Sequence, residues 1–122
     1  MQKVIFDSSF LIAVVEKPTT WFEDMVDGIG RFEPVLLSCV KEELERLASG
    51  GGRKARSARV ALEMASGFVG GSCGEASVDD EIISFALTES AVVATTDAGL
   101  LSSLGAAHVK AVTLRKWRVS VV

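Results

Sequence analysis

The chain has 122 residues, 48% of them apolar, and a mean hydropathy of +0.35. That size and composition exclude a disordered chain and suit one ordinary domain spanning residues 1–122. A net charge of −3 and a pI near 5.1 argue against a nucleic-acid binder that works by bulk positive charge. They do not argue against an enzyme that gathers acids around metal ions, because bound cations reverse the local field.

Met1 to Ile5 runs directly into a strand pattern, so no signal peptide is expected. No apolar run approaches the ~18 residues of a membrane span, and a cytoplasmic protein is expected. Cys39 and Cys73 form no CxxC pair, and the expectation is two buried free thiols in a reducing cytosol.

Lys3 to Phe6 is a short apolar run that stops at Asp7, a buried strand ending in an acid. Ser8 and Ser9 then offer a helix cap, and Phe10 to Val15 continues as a buried helix closed by Pro18. Trp21, Met25 and Ile29 recur at helical spacing, so a second helix covers Trp21 to Ile29. Pro34 to Ser38 reads as a strand, with Ser38 capping a helix from Val40 to about Ala48. Gly50-Gly51-Gly52 is the clearest break, and a further helix runs from Arg53 to about Ala65. Phe68-Val69 is a candidate third strand, followed by loop to Glu75.

Ser77 and Asp80 stand at capping-box spacing at the head of a helix that runs to about Glu89. Ala91 to Thr95 is a strand ending close to Asp97. Ala98 to Leu104 is a short helix stopped by Gly105, His108 to Leu114 the last clear strand, and Trp117 to Val122 an edge strand. Strands alternating with helices, and apolar throughout, imply an α/β fold with a mainly parallel sheet covered on both faces.

Position marks out certain acids. Asp7 and Asp97 each follow an apolar strand, where ligands bind in open parallel sheets. Each also suits a helix cap or turn. On the helix from Val40, Glu43 lies along the edge of the apolar stripe Val40, Leu44 and Leu47, whereas Glu42 and Glu45 point away. An acid beside the core is costly unless it is paired or on a metal. On the helix from Asp79, the buried face is Ile82, Ile83, Ala86 and Leu87; Asp79 shares it, Asp80 flanks it and Glu81 opposes it. The alternative for Asp79 is a favourable charge at a helix N-terminus. Converging carboxylates repel unless cations are present, and oxygen-only ligands suit Mg²⁺ or Mn²⁺. With no Ser/His or Cys/His set, the chemistry suggested is a metal-activated water attacking a phosphodiester. His108 stands alone and reads as structural.

These acids stand in the order of a known family. Val4-Ile5-Phe6-Asp7-Ser8-Ser9-Phe10-Leu11-Ile12 resembles the opening of PIN domains, and Val40-Lys41-Glu42-Glu43-Leu44-Glu45-Arg46-Leu47 their second motif. Asp79-Asp80-Glu81-Ile82-Ile83-Ser84-Phe85-Ala86 and Val93-Ala94-Thr95-Thr96-Asp97-Ala98-Gly99-Leu100-Leu101 resemble the third and fourth. The resemblance implies a Rossmann-like three-layer α/β/α sandwich and Mg²⁺- or Mn²⁺-dependent cleavage of single-stranded RNA. It implies that Asp7, Glu43, Asp79 and Asp97 are catalytic and bind metal, with Asp80 a possible fifth ligand and Ser8 and Thr95 in support. A homodimer is common in the family. Within it, the third motif and the ending Val109 to Arg115 look more like stand-alone ribosomal-RNA-processing nucleases than VapC-type toxins, which pair with an antitoxin protein.

Arg53, Lys54, Arg56 and Arg59 follow the glycine loop and are either an RNA-backbone contact or an ordinary solvated helix face. Trp117 lies in a second basic cluster, where it either stacks on a base or packs on the core or a dimer partner. Two rival functions remain at this level. One is a non-catalytic RNA-binding module, which loss of an acid would favour. The other is a small-molecule phosphohydrolase, and Asp7-Ser8-Ser9 lacks the second aspartate of an Asp-x-Asp nucleophile.

Overall fold

A computed structural model of the chain describes residues 1–122. The strands are β1 (Gln2–Phe6), β2 (Phe32–Leu37), β3 (Val69–Gly71), β4 (Val92–Ala94), β5 (Ala111–Arg115) and β6 (Arg118–Val121). The helices are α1 (Ser8–Glu16), α2 (Trp21–Ile29), α3 (Ser38–Ala48), α4 (Gly52–Met64), α5 (Val78–Glu89) and α6 (Ala98–Ala106). One sheet holds every strand in the order β3-β2-β1-β4-β5-β6, parallel except for β6, which forms an antiparallel hairpin with β5. The expected α/β sandwich with a mainly parallel sheet is what the chain forms.

The order follows from handedness. Right-handed crossovers leave β1 in one direction through β2 and β3, and leave β4 in the other through β5. Helices from the two halves therefore cover opposite faces, and α1, α3 and α4 pack on one another. β1 and β4 adjoin at the reversal, with Phe6 beside Ala94 in register. Both strands are central and fully covered: Val4, Ile5, Phe6, Val93 and Ala94 are buried. Phe6 anchors an aromatic cluster, with ring centroids 5.6 Å from Phe10, 5.7 Å from Trp21 and 5.2 Å from Phe68. The opening of α1 is thereby locked against the end of β1. No helix is long and apolar enough to cross a membrane.

Several local expectations are corrected. Helix α1 starts at Ser8 with Asp7 in the cap position, because both serine hydroxyls are drawn into side-chain bonds instead of capping. Ser38 is likewise inside α3, and its hydroxyl accepts the Cys73 N–H at 3.1 Å. Helix α6 runs through Gly105 to Ala106, and β5 begins only at Ala111, because His108 turns the chain at φ 58°. Leu87 is 56% exposed and does not belong to the buried face of α5, which rests on Ile82 and Ala86.

The cysteines are not free thiols. Cys39 and Cys73 form a disulfide across Cα atoms 5.8 Å apart. The reason lies in the register: β2 pairs with β3 so that Leu37 faces Gly71, and each cysteine stands two residues beyond its partnered position. No sequence motif announces a pairing between residues 34 apart.

Candidate functional site

At the step from β1 to α1, Asp7 is 6% exposed and has the extended backbone of a cap, yet its carboxylate accepts no capping bond from the helix backbone. Its partners lie elsewhere. Ser9 Oγ donates to Oδ2 at 2.6 Å, and Thr95 Oγ1 donates to the same oxygen at 2.8 Å. Each hydroxyl has one proton. Both protons are committed to Asp7, so the 3.1 Å approach of Ser9 Oγ to Thr95 Oγ1 is a contact between occupied donors. The hydroxyls accept in turn. Thr96 N–H donates to Ser9 Oγ at 3.1 Å, and Asp97 N–H donates to Thr95 Oγ1 at 3.0 Å. The backbone of the β4–α6 turn thus holds Asp7 through two intervening hydroxyls.

Thr95, expected to support the acids, is fully buried within this network. Ser8 supports a different acid: its Oγ donates to Glu43 Oε1. Glu43 is half-buried at the edge of the α3 stripe, while Glu42 and Glu45 are exposed, so the wheel separates the three as the structure does. Asp97 is a true helix cap, with Oδ1 accepting the Leu100 N–H at 2.8 Å. Its cap leaves one carboxylate oxygen for other work.

Asp79 lies in the first turn of α5, next to the Ser77 cap that accepts the Asp80 N–H at 3.2 Å. Its carboxyl is raised above the ordinary 3.8, first by partial loss of solvent and then by the negative charges of Asp7, Asp97, Glu43 and Asp80. Those four acids come from the β1–α1 step, α3, α5 and the β4–α6 turn, and each lies near enough to Asp79 for its charge to act there. Asp79 is nevertheless exposed by surface area. The two observations agree if the carboxylate sits at the rim, open to water on one side and facing the other acids on its other side. As the side chains stand, no three acids close around a common point tightly enough to hold an ion.

A cleft of about 540 Å³ opens beside Glu43, with Ser8, Ser9, Glu16, Arg46, Lys54 and Thr96 in its walls. Of the basic stretch 53–59, only Lys54 reaches this wall. Arg53 and Arg56 are exposed outside it, and Arg59 donates to the Ala48 carbonyl at 2.8 Å, tying α4 to the end of α3. His108 lines a separate depression with Gln2 and Lys110, away from the acids. Sequence reasoning missed Ser9 and Arg46. Arg46 had a usable signal, since it stands three residues after Glu43 and shares its side of α3. Ser9 had none beyond its nearness to Asp7.

A model of the PIN-like domain family matches residues 4–117, nearly the whole chain and all of the acids above. The chain belongs to the PIN-like domain family. Among solved structures, the PIN domain endonuclease Utp24 superposes with a TM-score of 0.81 at 23% identity, over 98% of this chain and 90% of that one. PAE2754 from Pyrobaculum aerophilum superposes with a TM-score of 0.55 at 17% identity, over 83% and 78% of the respective chains. At those identities the likeness is one of fold. No curated protein matches the chain in sequence. In this fold β1 and β4 are neighbours, so Asp7 and Asp97 follow adjoining strands although they are ninety residues apart in sequence.

Proposed function

We propose that this PIN-like domain is a metal-dependent endoribonuclease that hydrolyses single-stranded RNA, with a place in ribosomal-RNA processing. The observation that supports the reading is that the charges of Asp7, Glu43 and Asp97 all bear on Asp79, with Asp7 and Asp97 following the adjoining strands where the sheet reverses direction. Apart from the cap that Asp97 gives α6, the fold does not require so much negative charge there, and its repulsion at Asp79 works against the folded chain. A divalent cation turns that repulsion into attraction.

The donor set fits such an ion. It is all oxygen, with no histidine or thiol among the acids, which favours Mg²⁺ or Mn²⁺. Asp7, Glu43, Asp79 and Asp97 would hold it, with Asp80 one residue further along α5. When bound, the ion supplies an activated water and positive charge beside the scissile phosphate. The chain's own residues do the rest. Thr95 and Ser9 fix Asp7, Ser8 steadies Glu43, and Arg46 and Lys54 present positive charge in the adjoining cleft. In the overall reaction, water adds to phosphorus, the bond to the leaving sugar oxygen breaks, and that oxygen leaves with a proton. No side chain forms a covalent link.

The preference for RNA processing over a toxin with an antitoxin partner rests on the Asp79-Asp80-Glu81-Ile82-Ile83 form of the third motif and the Val109 to Arg115 ending.

The deciding experiment is cleavage of a labelled single-stranded RNA with Mn²⁺, with Mg²⁺ and with EDTA, comparing wild type with Asp97→Asn. Asparagine retains the oxygen that caps α6, so the variant folds. Cleavage needs the metal and falls by at least ~100-fold in the variant. Full activity in EDTA, or in Asp97→Asn, overturns the reading.

A further inference from the structure

Beyond the acid-lined cleft lies a second hollow of about 310 Å³, walled by Ala13, Thr96, Leu114, Lys116 and Trp117. It shares the wall residues Ala13 and Thr96 with the first, so the two hollows adjoin. The first holds Glu43, Arg46 and Lys54. The second is apolar and aromatic, with Lys116 in its wall.

The aromatic end is built on an unusual turn. β5 and β6 are joined by Lys116 and Trp117 alone, with Arg115 paired to Arg118 on either side. Both turn residues have positive φ, 51° and 65°. A two-residue hairpin turn of that kind favours Asn-Gly, and a tryptophan in the left-handed region is strained. Strain retained at a surface site points to use. The turn leaves the indole 47% exposed instead of folding it into the core. Lys17 Nζ lies 4.1 Å from the ring centroid and steadies the ring. Trp117 therefore presents a half-exposed indole, with Lys17 over its ring and Lys116 beside it, next to the cleft that holds Glu43.

We propose that Trp117 is a stacking platform for an unpaired nucleobase of the RNA strand cleaved at the neighbouring acids, a role that rests on the nuclease reading above. Every base has a π-face, so the platform accepts single strands without regard to sequence. Lys17 and Lys116 meet the backbone phosphate of the stacked nucleotide. The strand then passes Thr96 and Ala13 to the cleft, where Arg46 and Lys54 meet the phosphates beyond the cleavage point. A duplex, whose bases are already stacked on each other, does not engage the platform.

Trp117→Asn tests this, because asparagine is at home in the turn and lacks the ring. The variant keeps or raises the wild-type Tm. Its KM for a single-stranded oligoadenylate rises roughly 5- to 100-fold with kcat nearly unchanged, as loss of one stacked base predicts. Trp117→Phe recovers most of the loss. In addition, oligoadenylate quenches the tryptophan fluorescence of the wild type but not of Trp117→Phe, which retains only Trp21. An unchanged KM in Trp117→Asn, with no quenching of the wild type, overturns the platform and leaves the nuclease reading intact. Quenching in a protein that cleaves nothing upholds the platform and overturns the nuclease reading. A fall in Tm that phenylalanine does not reverse assigns Trp117 a structural role and overturns the platform.

Discussion

Asp79 has the least comfortable charge in the molecule. Partial desolvation, and then Asp7, Asp97, Glu43 and Asp80, hold its carboxyl above 3.8. The folded chain therefore binds this proton more tightly than the unfolded chain does. The resulting preference for the fold is present below the ordinary carboxyl pKa and is lost as pH rises through the raised one. At neutral pH the ionised group opposes folding, and Asp79→Asn removes that opposition. The exposed setting of Asp79 keeps the effect small. In EDTA at neutral pH the variant melts roughly 1–3 °C above wild type, and the difference closes as pH falls to about 3. A gain of equal size at both pH values would assign it to something other than charge. The helical periodicity alone singles out Asp79 and Glu43, because an acid beside an apolar stripe needs a reason. It does not reveal Ser9, whose bond to Asp7 depends on Thr95 and Thr96 arriving from a strand over eighty residues away.

The disulfide belongs to the scale of elements. Cys39 in the first turn of α3 is joined to Cys73 in the loop before α5, so the helix that carries Glu43 is tied to the segment that leads to Asp79. The alternation of helices and strands, and the mainly parallel sheet, were readable from periodicity and from the glycine break at 50–52. The Cys39–Cys73 pairing was not, because it depends on β2 meeting β3 with Leu37 opposite Gly71. Element ends were displaced for a related reason. Ser8, Ser9 and Ser38 look like caps in sequence, but each hydroxyl finds a partner from another part of the chain: Glu43, the Thr96 N–H and the Cys73 N–H. Closing a loop of 34 residues restricts the unfolded chain and stabilises the fold by about 3–4 kcal/mol. Reduction with dithiothreitol, or the pair of substitutions Cys39→Ser and Cys73→Ser, lowers the Tm by roughly 10 °C or more. A Tm that does not move on reduction would show that the loop is held as well by Ser38 and the strand pairing alone.

At the scale of the whole molecule, the order β3-β2-β1-β4-β5-β6 determines what an ion would do to the fold. Asp7 follows β1, Glu43 lies on α3, Asp79 on α5 and Asp97 after β4. An ion held by them joins segments from both halves of the sheet, and does so only in the folded chain. The unfolded chain cannot bring four acids spread over ninety residues to one point without a large loss of chain entropy. Binding is therefore linked to stability: at a free ion concentration of about 100 times the Kd, the fold gains about 2.7 kcal/mol. For a chain of this length that corresponds to a rise in Tm of roughly 8–12 °C. Melting in EDTA and then in Mn²⁺ or Mg²⁺ up to about 10 mM reads the effect directly. If Asp97 holds the ion, Asp97→Asn shows a smaller rise, since it keeps its helix cap but loses the negative charge. A wild-type Tm that ignores both ions would sink the metal assignment whatever the activity, because an ion bridging these four segments cannot bind without holding them together.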